Sequence, residues 1–182
     1  MFQLKKGLSI SVGGAVRSRA LREFKKLIRT WGYALPDVEP LVLDFGLGDF
    51  ARTGLIEYWL ANERRAGYCG KYLFVFAGQT CPRHRHRTKH ETFFLLEGNL
   101  SVTYGTKLLH LKPGDVLAIA PGIYHSFTGK GPALLLELSM PCDVSDNFFA
   151  DARIPIGGNQ QRRSGGVPPR GSDAAGDKST KR

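Results

Sequence analysis

Cysteine is scarce in this chain. Cys69, Cys81 and Cys142 are the only three in 182 residues, an odd number without a paired spacing. Such usage suits a reducing compartment better than a disulfide framework. Long apolar runs are also missing: none approaches the roughly 20 residues of a membrane helix, and glycines interrupt the stretch from Gly7 to Val16. We therefore expect a cytoplasmic protein without a membrane partner, and a signal peptide has only weak support.

Acidic residues are fewer than basic ones, 16 against 26, which gives a net charge of +10 at pH 7. The deficit is confined to the ends of the chain. Residues 1–31 contain eight lysines and arginines against Glu23 alone, and residues 157–182 contain six against two aspartates. The segment between them is nearly neutral, with twelve basic and thirteen acidic residues. Because binding to nucleic acid needs a folded positive surface or a committed basic arm, we expect no nucleic-acid partner.

Residues 15–31 have the pattern of an amphipathic helix. Apolar side chains recur along one stripe, arginines and lysines lie between them, and Gly32 follows as a terminator. From residue 157 the chain is rich in Gly, Pro, Ser, Gln and Arg, a composition that buries too little apolar area to become ordered. The sequence thus predicts an N-terminal segment with a helix over residues 1–33, one folded domain over 34–156 and a disordered basic tail over 157–182.

Between these ends the sequence is strand-like, with short apolar runs separated by Gly and Pro-Gly turns. The predicted strands are 41–45, 54–60, 71–77, 91–96, 99–104, 107–111, 116–119 and 133–139. Such regular spacing without a helical pattern indicates an all-β antiparallel sandwich or barrel. Residues 93–96, Phe-Phe-Leu-Leu, leave no polar face, so barrel contents must cover one side of that strand and another layer or subunit the other. We therefore predict a homodimer.

Four candidate metal ligands are found in the strand-like region. His84 and His86 are two residues apart on a strand, so their side chains point to one face while the neighbouring arginines point to the other. Glu91 returns to the same cavity after a turn, and His125 follows a Pro-Gly turn at a strand mouth. Three nitrogens and one carboxylate oxygen with open positions suit Mn²⁺, Fe²⁺, Co²⁺, Ni²⁺ or Zn²⁺, and the ligand types do not choose among these ions.

Two more charged residues are candidates for chemistry. Lys89 precedes Glu91 by two residues, and a neighbouring dication should lower the pKa of its amine so that it can move protons. The alternative is a turn lysine that points to water. Glu137 interrupts the apolar run 133–138, so it is either an inward catalytic carboxylate or a glutamate at a sheet edge.

These motifs resemble the paired metal-binding motifs of the cupin superfamily and, within it, the D-lyxose isomerase family. The resemblance extends over residues 35–156, and its most specific element is His-x-His-x-x-Lys-x-Glu at residues 84–91. It is carried by segments 81–93 and 121–127, by Glu137 with Ser139, by Asp146-Asn147 and by residues 44–48 and 54–55. Ala120 and Gly129 depart from the second cupin motif, which usually has Pro and Asn there, but neither is a ligand position.

The resemblance implies a cupin-type antiparallel β-barrel, or jelly roll, with a bound divalent metal that is usually manganese. It assigns the metal to His84, His86, Glu91 and His125, and the proton transfers to Lys89 and Glu137. The implied reaction is aldose–ketose isomerisation of a free sugar, such as D-lyxose to D-xylulose or D-mannose to D-fructose, through a cis-enediolate. The segment around Asp143 departs in length from the family, which leaves the roles of Asp143 and Asp146 open.

Three other functions fit parts of the pattern. A cupin iron dioxygenase would use a similar ligand set but needs neither an inward Lys89 nor an inward Glu137. A phosphosugar isomerase needs a basic cluster that faces the cavity, whereas the arginines at 83, 85 and 87 face outward by alternation. A non-catalytic sugar-binding cupin would keep the pocket and show no turnover.

Overall fold

Two antiparallel sheets face each other in the computed structural model, which describes residue 7 and residues 10–158. The predicted tail, 157–182, lies outside the described residues except for Gly157 and Gly158. The elements in chain order are α1 (Gly14–Thr30), β1 (Leu41–Leu43), β2 (Leu55–Glu63), β3 (Tyr68–Val75), β4 (Thr80–His86), β5 (Glu91–Glu97), β6 (Leu100–Tyr104), β7 (Lys107–Leu111), β8 (Val116–Ile119), β9 (His125–Gly129), β10 (Ala133–Ser139), a short 3₁₀ helix (Val144–Asp146) and β11 (Asn147–Phe149).

The large sheet has the strand order β1-β2-β3-β10-β5-β8, and the small sheet has the order β11-β4-β9-β6-β7. All strand pairs are antiparallel, and strands distant in the chain lie side by side, as β3 and β10 do. This arrangement is a cupin jelly roll with an N-terminal helix, so the predicted fold class is confirmed. The structure adds strands β9 and β11, and it gives the strand predicted to carry His84 and His86 its bounds, Thr80–His86. It also lengthens the predicted strand 54–60 to residue 63.

The helix α1 packs on the outer face of the large sheet. Its apolar stripe is buried: the Phe24 ring lies 5.4 Å from that of Tyr58 and 4.9 Å from that of Phe74. Leu96, from the all-apolar segment 93–96, packs partly buried against the same cluster. The helix therefore supplies the second layer that the sequence required there, and the homodimer stays a prediction. Among the described residues, no helix has the length and apolarity needed to cross a membrane.

The space between the sheets changes from apolar to charged along the strands. Because side chains alternate between the two faces of a strand, each cross-strand row points wholly to one face, and the inward-facing rows can be followed along the strands. One row consists of Leu73, Leu135 and Leu95, and the next consists of Lys71, Glu137 and Phe93. The following row pairs Ser139 with Glu91. The sheet interior thus carries a hydrophobic core that gives way to buried charges, and the candidate site lies at this charged end.

Candidate active site

The four candidate ligands meet at one place between the sheets. His84 and His86 end β4, Glu91 begins β5, and His125 begins β9 opposite His84. All four side chains are buried, and one ligand atom from each lies within 4.8 Å of the others. The structure therefore brings together the set that the sequence predicted.

Backbone carbonyls determine which nitrogen of each imidazole carries the proton. The Nδ1 atom of His84 lies 2.8 Å from the carbonyl oxygen of Pro82, that of His86 lies 3.1 Å from the carbonyl oxygen of Asp146, and that of His125 lies 3.1 Å from the carbonyl oxygen of residue 123. Because a carbonyl oxygen only accepts hydrogen bonds, each Nδ1 must donate. In the neutral rings each Nε2 therefore presents a lone pair.

The lone pairs converge on a carboxylate that is itself an acceptor. The Nε2 atom of His86 lies 3.2 Å from Oε1 of Glu91, and that of His125 lies 3.1 Å from Oε2 of Glu91. Within the described part of the chain, both Nε2 atoms and Oε2 of Glu91 are buried without a hydrogen-bond partner. Acceptors that face one another repel unless a cation lies between them. The donor set thus fits a divalent metal ion, which these four side chains could hold.

Burial also keeps His84 and His86 in the form that binds metal. It is the main cause that lowers the pKa of His84 well below its ordinary value, and the neighbouring His125 and His86 lower it further. Burial and then the Lys89 ammonium lower the pKa of His86. Burial alone would raise the pKa of Glu91, but Lys89 and the two histidines outweigh it and leave this pKa well below its ordinary value. Near neutral pH the site therefore offers His84 and His86 as neutral imidazoles and Glu91 as an ionised carboxylate.

Lys89 and Glu137 point into the same cavity. Lys89 is 5% exposed, and its Nζ lies 2.5 Å from Oε1 of Glu91 and 3.3 Å from Oε1 of Glu137. Glu137 is 3% exposed on β10, which lies between β3 and β5, so neither the turn lysine nor the edge glutamate describes this structure. Ser139 donates a further hydrogen bond of 2.8 Å to Oε1 of Glu137. The two residues form a buried acid–base pair next to the candidate ligands.

The charge of Lys89 is set by its two carboxylate partners. Burial lowers the pKa of this amine, but Glu137 and Glu91 outweigh burial and raise the pKa above its ordinary value. The protein alone therefore holds Lys89 as an ammonium that donates a hydrogen bond to Glu137 and forms an ion pair with Glu91. The lowered pKa predicted from the sequence concerns the site with a dication bound, and it stays a prediction.

Asp146 fastens the turn that carries Lys89. Its Oδ1 accepts a hydrogen bond of 2.9 Å from the backbone N–H of Arg87, and its Oδ2 accepts bonds of 3.2 Å and 3.0 Å from the N–H groups of Thr88 and Lys89. The Thr88 hydroxyl donates a fourth, of 2.9 Å. Burial would raise the pKa of Asp146, but these donors lower it. The carboxylate thus binds the 87–89 turn, while the backbone oxygen of the same residue orients His86.

Three cavity residues were missed in the sequence. Glu57 and Trp59 on β2 and Lys71 on β3 line the cavity together with Lys89 and Glu137. A signal existed, because Lys71 alternates with the buried Leu73 and Val75 on one face of its strand, and Glu57 does so with the buried Leu55. That pattern places charges on a core-facing side.

The comparisons with known proteins agree with this geometry. The cupin domain family matches residues 73–139. The D-lyxose/D-mannose isomerase of Thermosediminibacter oceani is 35% identical over 62% of this chain and 77% of that protein. The D-lyxose ketol-isomerase of Cohnella laeviribosi is 34% identical over 62% of this chain and 76% of its own length.

Solved structures show the same fold at lower identity. The L-ribose isomerase of Acinetobacter sp. DL28 in complex with L-ribose has a TM-score of 0.67 and 16% identity, over 80% of this chain and 95% of that one. The L-ribose isomerase of Cellulomonas parahominis with L-ribose has a TM-score of 0.66 and 17% identity over the same shares. Sequence relatives and site geometry lead to one assignment: the chain belongs to the D-lyxose isomerase family of cupins and is an aldose–ketose isomerase.

Proposed function

We propose that the protein interconverts a free aldose and its ketose, such as D-lyxose with D-xylulose or D-mannose with D-fructose, in a reaction that depends on a divalent metal ion. The observation that carries this proposal is the buried Lys89–Glu137 pair, whose Nζ and Oε1 lie 3.3 Å apart beside the His/Glu cluster. A dioxygenase needs no such pair. Relatives that are named for D-lyxose and D-mannose support these two substrates.

The reaction requires that a proton move from C2 to C1 of the open-chain sugar. Glu137 accepts the C2 proton, the C1–C2 double bond forms, and the same carboxyl returns the proton to C1. Lys89 donates a proton at O1 and accepts one from O2, so that the carbonyl group moves from C1 to C2. The intermediate of this path is a cis-enediolate. The two roles are exchangeable in principle, but Ser139 already holds Oε1 of Glu137, which favours a fixed carboxylate as the base at carbon.

His84, His86, Glu91 and His125 would hold the metal ion. When bound, a divalent cation polarises a carbonyl group and stabilises negative charge that develops on adjacent oxygens. The donor set does not choose the ion, and we propose Mn²⁺ from the family resemblance. The ligands themselves are held by the sheets and by the three backbone carbonyls that orient the imidazoles, so the protein needs little rearrangement to receive the ion.

The charges of the cavity favour a free sugar over a sugar phosphate. Two ammonium groups, those of Lys71 and Lys89, lie against the three carboxylates of Glu57, Glu91 and Glu137. A phosphate site instead uses an excess of arginine and lysine donors. Arg83, on the opposite face of β4, and Arg87, directly after this strand, are both exposed, and their guanidinium groups lie over the rings of Tyr124 and Phe148 respectively.

The test is an anaerobic incubation of the Mn²⁺-loaded protein with D-lyxose and, separately, with D-mannose. We expect D-xylulose and D-fructose to form, and we expect a chelator to abolish and Mn²⁺ to restore their formation. Glu137→Gln should remove most turnover while the amount of bound metal stays the same. Absence of ketose with metal bound would reject the proposal, and O₂ consumption under air would point to the dioxygenase instead.

Two further features of the proposal concern the whole protein. We propose a cytoplasmic location, which the three buried and unpaired cysteines support. We also propose a homodimer, supported by exposed apolar side chains on the outer face of the large sheet, where Leu60 is 42% and Leu138 is 52% exposed. Sedimentation equilibrium measures the assembly directly, and a monomer at micromolar concentration would contradict the dimer.

A further inference from the structure

A second charged group of residues borders the cavity and is separated from the candidate metal ligands by the Lys89–Glu137 pair. It consists of Glu57, Trp59 and Lys71, which we call the Lys71 cluster. Lys71 lies opposite Trp59 on one side and opposite Glu137 on the other in the large sheet. The three neighbouring strands β2, β3 and β10 thus present one continuous inward row of polar side chains.

The Lys71 ammonium has unused donors in a buried position. Lys71 is 4% exposed, and its Nζ lies 3.8 Å from Oε2 of Glu57 and 3.7 Å from Oε2 of Glu137. Both distances exceed a hydrogen bond, and within the described residues this ammonium makes no hydrogen bond. The Trp59 ring lies 4.9 Å away and offers a cation–π contact but no acceptor lone pair. Three N–H donors in a cavity wall without acceptors are costly unless something in the cavity accepts from them.

The ammonium charge itself is secure. Burial would lower the pKa of Lys71, but the acidic groups around it, Cys142, Glu137 and Glu57, outweigh burial and raise the pKa well above its ordinary range. A donor of constant charge suits binding rather than proton transfer. Glu57 is also fixed, since its Oε2 accepts a hydrogen bond of 2.8 Å from Nε1 of Trp59.

We propose that Lys71 and Glu57 form a subsite for the sugar hydroxyls on C4 and C5, remote from the carbons that react. A hydroxyl group both donates and accepts, so it can accept from Lys71 and donate to Glu57 in the same position. The Trp59 ring supplies an apolar wall for the C–H groups of the sugar. This inference rests on the proposed function, because it concerns the substrate of that reaction, and it makes Lys71 a determinant of specificity rather than a group that moves protons.

The subsite predicts which substrates lose rate when Lys71 is replaced. D-Lyxose has hydroxyls on C4 and C5, whereas the triose D-glyceraldehyde has neither and still isomerises to dihydroxyacetone by the same proton shift. Lys71→Met should therefore lower kcat/KM for D-lyxose about tenfold or more, since hydrogen bonds to charged groups are of that strength. The value for D-glyceraldehyde should stay within about threefold of the wild type. Equal losses for both sugars would overturn the proposal and indicate that Lys71 only orients Glu137.

Two variants complete the kinetic test. Lys107→Met makes the same chemical change at an exposed position on β7 and should leave both sugars unaffected. Lys71→Met alone leaves two buried carboxylates short of a counter-charge and could prevent folding. The double variant Lys71→Met/Glu57→Gln removes one charge of each sign, so it keeps the balance. Because both residues belong to the subsite, it must show at least the same loss for D-lyxose and still spare D-glyceraldehyde.

A binding experiment separates this inference from the proposed function. The pentitol D-arabinitol carries the C4 and C5 hydroxyls but has no carbonyl group and cannot react. Titration calorimetry of the metal-loaded protein should show binding that is about tenfold weaker in Lys71→Met and unchanged in Lys107→Met. This result would support the subsite even if no aldose were turned over. Absence of D-arabinitol binding to the wild type, or equal affinity in Lys71→Met, would overturn it.

Discussion

Asp146 offers a sharp test of how the fold positions the proposed acid–base pair. Its side chain makes four hydrogen bonds, three from backbone N–H groups and one from a hydroxyl, all within residues 87–89. Lys89 is the last residue of this turn, and its Nζ reaches Glu137 and Glu91. Asp146→Ala removes the anchor but leaves every candidate ligand and both catalytic candidates in the chain.

The cost in stability is smaller than four bonds suggest. Hydrogen bonds to a charged group contribute about 1.5–3 kcal/mol each when buried. The turn at Arg87 and Thr88 is exposed, so water replaces the lost acceptor for most of these donors. We therefore expect a loss of about 2 kcal/mol, which corresponds to a decrease in Tm of about 4–8 °C for a chain of this size.

The loss of activity in Asp146→Ala should be larger than its loss of stability suggests. A displacement of about 1 Å in a catalytic group can lower the rate about 100-fold, and a loosened turn gives Lys89 that freedom. We expect kcat to fall about 100-fold while KM for D-lyxose and the bound metal change little. The measurements are steady-state kinetics, a thermal melt and the metal content of each variant.

The control is Asp151→Ala. Among the described residues the Asp151 carboxylate accepts hydrogen bonds only from Arg153, on the surface beyond β11, so this variant should melt and turn over like the wild type. If Asp146→Ala melts at a lower temperature but keeps its kcat, the turn does not need its anchor to place Lys89. If both Tm and kcat are unchanged, the hydrogen bonds to Asp146 contribute nothing measurable, and the reasoning fails at its first step.

Three other outcomes follow from the site and the fold. His125→Ala should lower the metal content well below one ion per chain, as measured by elemental analysis, and full occupancy would remove His125 from the ligand set. The metal-free protein should lose stability as the pH falls below 6.5. The reason is that His84 and His86 have lowered pKa values in the folded protein, so the unfolded chain takes up protons there that the folded chain does not. A urea midpoint that is flat between pH 7.5 and 5.5 would contradict this. Gly98→Ala should destabilise the protein by more than the roughly 1–2 kcal/mol that a left-handed conformation costs, since φ of Gly98 is 80° and a Cβ would lie 2.2 Å from the Pro132 carbonyl oxygen. Gly114→Ala is the control, because φ of Gly114 is 92° and a Cβ there would have no atom within 4 Å. Its urea midpoint should therefore show only the cost of the left-handed conformation.

The ligand set could be predicted because it depends on local geometry. The two-residue period of a strand puts His84 and His86 on one face whatever the rest of the chain does, and a single turn returns Glu91 to that face. The position of Glu137 could be predicted for a similar reason, since a charged side chain within an apolar strand must either be paired inside the protein or lie at a sheet edge. The helix α1 could also be predicted from a local pattern, and its buried residues Ala20, Phe24 and Ile28 agree with that pattern.

Features that depend on pairing between distant strands could not be predicted. The proposed role of Lys71 depends on its position beside Glu137, and the two residues lie opposite each other only because β3 pairs with β10. The bounds of β4 could not be predicted from composition either, because this strand contains Pro82 and two arginines and is poor in residues typical of strands. Gly129 departs from the usual cupin residue for a reason seen only in space: a Cβ there would lie 2.6 Å from the carbonyl oxygens of Phe76 and Gly131.

The buried charges alternate along one path through the cavity. Its members, in order of contact, are Glu57, Lys71, Glu137, Lys89 and Glu91. Buried ion pairs seldom add stability, and a broken pair leaves an uncompensated charge, so such a path is better explained by function than by folding. Both oxygens of Glu137 face partners: Lys89 and Ser139 donate hydrogen bonds to Oε1, and the Lys71 ammonium lies 3.7 Å from Oε2. Because Lys89 also contacts a candidate metal ligand and Lys71 does not, the chemical step and the recognition of the distal hydroxyls are assigned to different lysines, and charge-balanced variants can separate them.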